Sequence, residues 1–167
     1  MYPILVDVSK ITIVVVGGGK IATRKIKSLV EAGGRPIVIA PRVSDVIEEF
    51  AQKKQVIVKK RAYREGDIQH AQMVFICTDD EVVNQHVLSE VTPEQLVNDT
   101  TKQENSNFFN MAFLREDHVG VGITTYGECP TEAKQIKEEL KGFVQEKEQA
   151  LKKGEELRGI RNSENRE

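Results

Sequence analysis

Residues 11–22 read ITIVVVGGGKIA, an apolar, β-branched run that stops at three glycines and continues at once in a helical pattern. This order predicts a buried strand, a tight turn and the start of a helix. Gly17, Gly19 and Ala22 match the G-x-G-x-x-G/A pattern of dinucleotide-binding turns. Gly17 can adopt the backbone angles of the turn, Gly19 leaves space for a pyrophosphate, and the small Ala22 lets the helix pack against the strand.

The turn is therefore predicted to bind a dinucleotide, with the pyrophosphate at the N-terminus of the helix, where N–H groups and the helix dipole favour an anion. The alternative is a strand–helix turn that holds no ligand. The candidate cofactor-binding residues of the turn are Gly17, Gly18, Gly19, Lys20, Ile21 and Ala22.

Length, charge and cysteine content narrow the class of protein. The 167 residues suit one domain, or one domain with a small appendage. With 24 Lys and Arg against 26 Asp and Glu, the chain has no basic excess, so nucleic acid is not an expected partner. The two cysteines, Cys77 and Cys129, suit a reducing compartment. Met1–Asp7 does not resemble a signal peptide, and no apolar run reaches the roughly 18 residues of a membrane span, so a cytoplasmic location without membrane contact is expected.

Strands and helices are predicted to alternate over residues 1–100. This order is typical of an α/β protein with a Rossmann-type doubly wound parallel sheet. Residues 1–7 alternate in polarity, which predicts a short edge strand or an extended cover. The predicted strands are 11–16, 36–40, 56–58, 73–77 and 96–97, and the predicted helices begin near Ala22, after a Ser44 cap, and near Val83.

After residue 100 the pattern changes to that of a small α+β region. Residues 108–114 and 119–125 predict an antiparallel hairpin, and Pro130 suits the first turn of a helix with apolar residues at helical spacing up to Phe143. Residues 101–145 are the predicted dimerisation region, because this hairpin and helix stripe exceed what a small sheet domain needs as cover. Residues 146–167 are predicted to form a charged helical tail, partly disordered.

The motifs, taken in order, resemble those of precorrin-2 dehydrogenases, the NAD-dependent modules of siroheme synthases, over roughly residues 1–140. The similar segments are Met1-Tyr2-Pro3, residues 14–25, Ile39-Ala40-Pro41, Thr78-Asp79-Asp80 with Asn84, Asn107-Phe108-Phe109 and residues 123–130. The resemblance implies a homodimer that oxidises precorrin-2 to sirohydrochlorin with NAD⁺. Some members of the family also insert ferrous iron or cobalt.

The chain departs from the family pattern in three places. The aspartate that the family commonly has after the fifth strand falls on Thr101 or Lys102 here, and Asp99 is the nearby carboxylate. Cys129 replaces the serine that usually precedes Pro130, and the C-terminal helical region is shorter than in longer relatives.

Further candidate cofactor contacts follow the second and fourth strands. Ala40-Pro41-Arg42 ends the second strand without the acidic residue that often binds the ribose of NAD, so NADP remains open, while the resemblance favours NAD. Thr78 and Asp79 follow the fourth strand, where such folds bind ligands. They are predicted to contact nicotinamide ribose or substrate; alternatively, Asp79 or Asp80 caps the next helix.

Asp99 is the predicted catalytic base, which accepts a proton as hydride leaves the macrocycle; the alternative is a polar turn residue. The resemblance implies a substrate that is a tetrapyrrole rich in carboxylates. Its candidate contacts are Asn98, Asn107, Thr124, Thr125 and Gly127, each of which can instead shape or cap a turn. His70, His86 and His118 share no ligand spacing, so no metal site is predicted.

The sequence therefore predicts a precorrin-2 dehydrogenase that works as a homodimer with NAD and a small-molecule tetrapyrrole. Two alternatives stay open. One is a non-catalytic, NAD-binding regulatory module, which the displaced aspartate suggests. The other is a bifunctional dehydrogenase and ferrochelatase.

Overall fold

The computed structural model describes residues 1–117 and 119–164, with side chains as far as Lys152. The chain divides into two compact units, Met1–Phe108 and Phe109–Glu167. His118 and residues 165–167, which belong to the predicted hairpin turn and charged tail, lie outside the described residues.

The first unit contains a five-stranded parallel sheet with the strand order β3-β2-β1-β4-β5. This order runs outward in both directions from the β1–β4 pair, so the predicted Rossmann-type doubly wound sheet is confirmed. Its elements are β1 (Ile13–Val16), α1 (Lys20–Glu31), β2 (Ile37–Ile39), α2 (Asp45–Gln52), β3 (Ile57–Lys59), β4 (Met73–Ile76), α3 (Glu81–Ser89) and β5 (Leu96–Asp99).

Both faces of this sheet are buried, which is why its central strands are continuous apolar runs. All four residues of β1 and of β4 are buried. Val15 and Phe75 point to a core that includes residues of α1 and α2, whereas Val14 and Ile76 point to a second core that includes Val87 of α3. Helices therefore cover the two faces, as the period-2 alternation of parallel strands requires.

The ends of the first two helices agree with their sequence signals. After α1, Gly33 has a φ of 86°, and the N–H of Gly34 donates to the carbonyl of Leu29 at 2.8 Å. Ser44 caps α2, because its hydroxyl accepts from the N–H of Ile47 at 3.4 Å. The predicted Ser44 cap is thus confirmed, and Gly33 ends α1 in the conformation that glycine commonly adopts after a helix.

Residues 1–7 form no strand, which corrects one of the two alternatives for this segment. Tyr2, Ile4 and Val6 are exposed, and the chain enters a short 3-10 helix at Val8–Lys10. Alternating polarity stabilises a strand only where a sheet edge pairs with it, and this segment pairs with none of the described strands.

The first unit extends to Phe108, eight residues past the boundary expected near residue 100. Asn107 binds along β5: its N–H donates to the carbonyl of Val97 at 3.0 Å, and its side-chain Oδ1 accepts from the N–H of Val97 at 2.7 Å. The ring of Phe108 packs edge-on against Phe75 at 5.4 Å between centroids. These contacts hold residues 101–108 on the sheet domain.

The second unit is an antiparallel hairpin with one long helix. The hairpin predicted between residues 108 and 125 is confirmed. Its strands, β6 (Ala112–Glu116) and β7 (Val119–Ile123), pair antiparallel, so that Ala112 lies opposite Ile123 and Glu116 opposite Val119. Gln145 donates to Glu116 at 3.0 Å, and Lys152 pairs with Asp117, so the helix follows the hairpin beyond the expected boundary at residue 145. The elements are β6 (Ala112–Glu116), β7 (Val119–Ile123) and α4 (Pro130–Glu164).

Candidate active site

The three glycines of the turn after β1 have different environments. Gly17 has a φ of 121°, and a Cβ there would lie 2.5 Å from the carbonyl oxygen of Cys77. A Cβ on Gly18 would lie 2.3 Å from the carbonyl oxygen of Arg42. A Cβ on Gly19 would meet nothing within 4 Å. Gly17 and Gly18 are therefore required for packing, whereas Gly19 borders open space.

The N-terminus of α1 faces that space without a side-chain cap. Gly19 is its N-cap residue and makes no side-chain hydrogen bond, whereas Ser44 caps α2 and Asp80 caps α3. The first turn of a helix carries N–H groups without intrahelical partners and a partial positive charge. The turn therefore fits the pyrophosphate of a dinucleotide.

The residues after Gly19 divide between core and surface. Ala22 is fully buried against the sheet, as the fingerprint requires, while the side chains of Lys20 and Ile21 are exposed at the mouth of the turn. Lys20 and Ile21 can thus contact a ligand, and Ala22 acts by setting the position of α1.

The loop after β2 lies directly on the glycine turn. The N–H of Ser44 donates to the carbonyl of Gly18 at 3.0 Å, and the Ser44 hydroxyl lies 2.7 Å from that of Thr23. Pro41 and Arg42 are exposed beside this contact. Asp45 begins α2, where its negative charge interacts favourably with the positive end of the helix dipole.

Two aspartates follow β4, and the structure gives one of them the capping role and leaves the other for ligand contact. Asp80 caps α3, since its Oδ1 accepts from the N–H groups of Val82 and Val83 at 3.0 and 3.2 Å. The N–H of Asp80 in turn donates to the hydroxyl of Thr78 at 3.1 Å. Asp79 is exposed and borders a pocket, so its carboxylate is available to a ligand.

This pocket, of about 200 Å³, lies at the carboxyl ends of β4 and β5. Three carboxylates and one lysine border it, and Lys102 is engaged with Glu81 at 2.6 Å. The pocket is therefore rich in hydrogen-bond acceptors and suits a ligand group that donates. Its lining residues are Asp79, Glu81, Asn84, Gln85, Asp99, Thr101, Lys102 and Asn105.

Asp99 is the carboxylate held most firmly in this pocket, with 4% of its surface exposed. Oδ1 accepts from the N–H of Thr101 at 2.8 Å, from the Thr101 hydroxyl at 2.7 Å and from the N–H of Lys102 at 3.2 Å. Oδ2 accepts from the Asn105 amide at 2.8 Å. Burial raises the pKa of Asp99, but the hydrogen bonds from Asn105, Thr101 and the backbone together lower the pKa below its ordinary value.

Asp99 is therefore both a turn residue and an ionised group on the wall of the pocket, so its two predicted roles are compatible. The resemblance placed an aspartate at residue 101 or 102, and the residue found at 101 is a threonine whose hydroxyl donates to Asp99. The carboxylate is therefore supplied by Asp99, before the expected position, and the residues that follow it, Thr101 and Lys102, donate the hydrogen bonds that orient it.

The two asparagines predicted to bind substrate have partners in the fold. Asn98 donates through Nδ2 to the carbonyl of Phe108 at 3.1 Å. Asn107 uses both sides of its amide on β5, because Nδ2 also donates to the carbonyl of Gln95 at 2.7 Å. Both side chains connect the sheet to residues 107–108.

In the second unit, Thr124, Thr125 and Gly127 form the turn before α4. The Thr124 hydroxyl accepts from the N–H of Tyr126 at 3.0 Å, and the Thr125 hydroxyl accepts from the N–H of Cys129 at 3.1 Å. Gly127 has a φ of 90°. Neither hydroxyl donates to another described residue, so both can donate to a further acceptor.

Five further residues line the pocket, and none of them was predicted from the sequence as a site residue. They are Glu81, Asn84, Gln85, Lys102 and Asn105. The available signal was their position: three lie in the helix that follows the fourth strand, and two in the polar stretch after the fifth. Such positions face the carboxyl edge of a parallel sheet.

Residues 1–117 and 119–152, whose side chains the structure describes, contain no group of three or more His, Cys, Asp and Glu side chains placed to hold a metal ion. Within the same residues, no helix combines the length and apolarity needed to cross a membrane.

Known proteins share these features. Residues 4–112 match the family profile described as putative NAD(P)-binding. The chain is 34% identical to the precorrin-2 dehydrogenase of Priestia megaterium over 84% of this chain and 69% of that protein, and 28% identical to that of Bacillus subtilis (strain 168) over 86% and 89%. A solved structure named SirC, precorrin-2 dehydrogenase, superposes with a TM-score of 0.76 at 34% identity, over 85% of this chain and 70% of that one.

A siroheme synthase of Serratia proteamaculans (strain 568) is 27% identical over 85% of this chain, and this match spans 30% of that longer protein. The nucleotide-binding unit, the acceptor-lined pocket and these similarities agree with one another. The chain belongs to the family that comprises the precorrin-2 dehydrogenases and the matching module of siroheme synthases.

Proposed function

We propose that this protein is an NAD-dependent precorrin-2 dehydrogenase, which oxidises precorrin-2 to sirohydrochlorin. One observation carries the proposal: an uncapped helix N-terminus over open space and an ionised, buried carboxylate lie at the same edge of one parallel sheet. A hydride transfer requires both a dinucleotide site and a place for the proton that leaves with the hydride.

The glycine turn holds the cofactor in this proposal. Gly19 leaves the space for the pyrophosphate, and the first turn of α1 supplies N–H donors. Pro41 lies beside the adenosine half, and Thr78 and Asp79 beside the nicotinamide half, because the two halves extend to opposite sides of the β1–β4 switch point. When bound, NAD⁺ supplies the acceptor for a hydride from a saturated carbon of the macrocycle.

Asp99 receives the proton. Among the described residues, Oδ1 accepts from three donors, while Oδ2 accepts from the Asn105 amide alone and has a lone pair for a substrate N–H or C–H. The low pKa keeps the group ionised at neutral pH and returns the proton to solvent after transfer. The proton and the hydride together account for the two hydrogens that precorrin-2 loses.

The turn of the second unit is the proposed contact for the carboxylates of the substrate. Ionised carboxylates bind groups that donate hydrogen bonds. The hydroxyls of Thr124 and Thr125 can donate, since both accept from backbone N–H groups and neither donates to another described residue, and Gly127 gives the backbone room for a close approach. Asn98 and Asn107 act in this scheme by holding residues 107–108 beside β5, which ends at Asp99.

We further propose that the second unit pairs with its copy to form a homodimer. Phe113, Tyr126, Phe143 and Leu151 are large apolar side chains of this unit that are exposed in the single chain. Symmetric association is the commonest way to bury such a surface.

A cytoplasmic location fits the two free cysteines, Cys77 and Cys129.

The test supplies precorrin-2 and NAD⁺ under anaerobic conditions and follows the absorbance of NADH and of sirohydrochlorin. Equal and enzyme-dependent formation of both products is expected. Binding of NAD⁺ without turnover would identify the non-catalytic regulatory module instead.

A further inference from the structure

Asn84, in the first half of α3, is a buried amide of which only one side is used. It is 5% exposed, and its Nδ2 donates to the carbonyl of Thr78 at 3.1 Å and to the hydroxyl of Thr101 at 3.4 Å. A backbone carbonyl can only accept, so the contact with Thr78 fixes which end of the amide is nitrogen. Oδ1 is therefore an acceptor, and it is buried with no donor among the described residues.

A buried acceptor without a donor is rare in folded proteins, because it has lost its hydrogen bond to water. Gln95, another buried amide of the same unit, shows the usual case. Its Nε2 donates to the carbonyls of Ile68 and Ala71 at 2.7 and 2.9 Å, and its Oε1 accepts from the N–H of Thr92 at 3.0 Å. Asn84 differs from Gln95 in that it lines the pocket between β4 and β5.

The chemistry of the pocket limits what can supply the donor. Asp79, Glu81 and Asp99 share the wall with Asn84, so carboxylates and phosphates are repelled, whereas a neutral group with N–H or O–H hydrogens is favoured. The volume of about 200 Å³ is below the roughly 300–1,000 Å³ of pockets that hold whole drug-sized ligands. A single substituted ring, or one edge of a larger molecule, fits this space.

The place of the pocket indicates which ring this is. The pyrophosphate site lies after β1, with β2 on one side and β4 and β5 on the other. A dinucleotide that crosses the switch point brings one nucleoside to each side. We propose that Asn84 Oδ1 accepts a hydrogen bond from the carboxamide N–H of the nicotinamide and so orients the ring, an inference that rests on the proposed NAD-dependent function.

The exposed ion pair of Lys102 and Glu81 lines the same pocket as Asn84. An exposed ion pair is held weakly, so these side chains can turn aside as the ring enters.

The test compares NAD⁺ with 3-acetylpyridine adenine dinucleotide, in which a methyl group replaces the amide nitrogen and its hydrogens. Calorimetry gives the Kd of both dinucleotides for the wild type and for Asn84→Ala. The wild type should bind NAD⁺ about 3- to 10-fold more tightly than the analogue, as one hydrogen bond allows. In Asn84→Ala this ratio should fall to about 1. An unchanged ratio in the variant overturns the inference.

Gln95→Ala is the matched control, because it also removes a buried amide from the first unit but not from the pocket. It should lower thermal stability and keep the wild-type ratio. Asn84→Ser, a smaller polar residue that also removes the amide oxygen, replaces Asn84→Ala if the latter does not fold. If the ratio of the two Kd values also falls to about 1 in Gln95→Ala, the effect is due to general destabilisation, and the inference is overturned.

Two further outcomes separate this inference from the proposed function. A wild type that shows the ratio but does not oxidise precorrin-2 leaves the role of Asn84 intact and removes the dehydrogenase activity. A variant with an unchanged dinucleotide ratio but a raised KM for precorrin-2 shows that the donor is an N–H of the macrocycle, and the nicotinamide assignment fails.

Discussion

The hydroxyl of Thr101 donates a 2.7 Å hydrogen bond to Oδ1 of Asp99, two residues before it in the chain. The family resemblance expects an aspartate at or next to the position of Thr101. The chain therefore keeps a carboxylate at the carboxyl edge of the sheet but supplies it from Asp99, the last residue of β5, and the threonine in the following loop orients it.

Asp99→Asn should lower kcat by roughly two to four orders of magnitude, the contribution of a positioned general base. The amide keeps the size of the side chain but cannot accept the proton. NAD⁺ affinity, measured by calorimetry, should stay near the wild-type value. Turnover close to wild type would remove Asp99 as the base, and Asp79→Asn would then test the other carboxylate that a ligand can reach.

Thr101→Val should shift the acidic limb of the kcat/KM profile to higher pH. The hydrogen bond from Thr101 is one of those that hold the pKa of Asp99 below its ordinary value, so its loss raises that pKa. Activity should then be lost at a higher pH as the medium is acidified, with little change at neutral pH. Thr100→Val is the control, because the Thr100 hydroxyl donates to the carbonyl of Ile76 at 3.0 Å and not to Asp99.

Gly19→Asp should abolish tight dinucleotide binding while the fold survives. A Cβ at this position meets nothing within 4 Å, so the backbone tolerates the change, but the carboxylate places a negative charge in the proposed pyrophosphate space. Gly17→Ala should instead destabilise the fold, by about 1–3 kcal/mol, through its positive φ and the contact with Cys77. Calorimetry and thermal unfolding measure the two effects; normal NAD⁺ binding by folded Gly19→Asp would contradict the site.

Asp67→Asn should lower the free energy of unfolding at neutral pH by about 2 kcal/mol. Arg61 binds both oxygens of Asp67 at 2.6 Å and, with the N–H of Arg64 and with Lys59, lowers the pKa of Asp67 from 3.8 to about 2. Because the folded pKa is the lower one, this stabilisation is complete above pH 4 and is lost as the pH falls toward 2.

Urea denaturation at pH 7, 5 and 3 measures this difference between wild type and Asp67→Asn, which should narrow at pH 3. Glu31→Gln is the control, since its exposed contact with Lys27 at 3.9 Å contributes little. A difference that stays constant over this range would show that the ion pair does not control the stability.

Light scattering should give the mass of a dimer at micromolar concentration. Phe143 is 57% exposed on α4, so Phe143→Glu should shift the protein toward monomer if this helix is at the interface. Lys141→Glu changes the charge of the same helix at an exposed polar position and should not. A wild-type monomer would contradict the proposed homodimer.

The order of elements and the cofactor turn could be predicted from the sequence because both depend on neighbours along the chain. The run before Gly17 is continuous and β-branched since both faces of β1 are buried, and Gly33 and Ser44 mark helix boundaries through their own backbone and side-chain chemistry. The hairpin before Pro130 was predictable for the same reason.

The composition of the pocket was decided by the tertiary structure. Local rules allowed either Asp79 or Asp80 to cap α3, and the hydrogen bonds of Asp80 leave Asp79 at the pocket. Asn84 and Asp99 are 15 residues apart in the sequence, and they meet because the parallel pairing of β4 and β5 aligns the carboxyl ends of the two strands. The sequence itself determined the strand, the turn and the helix through local periodicity and backbone freedom. Only the pairing of distant strands determined which polar groups share a wall and which buried oxygen lacks a donor.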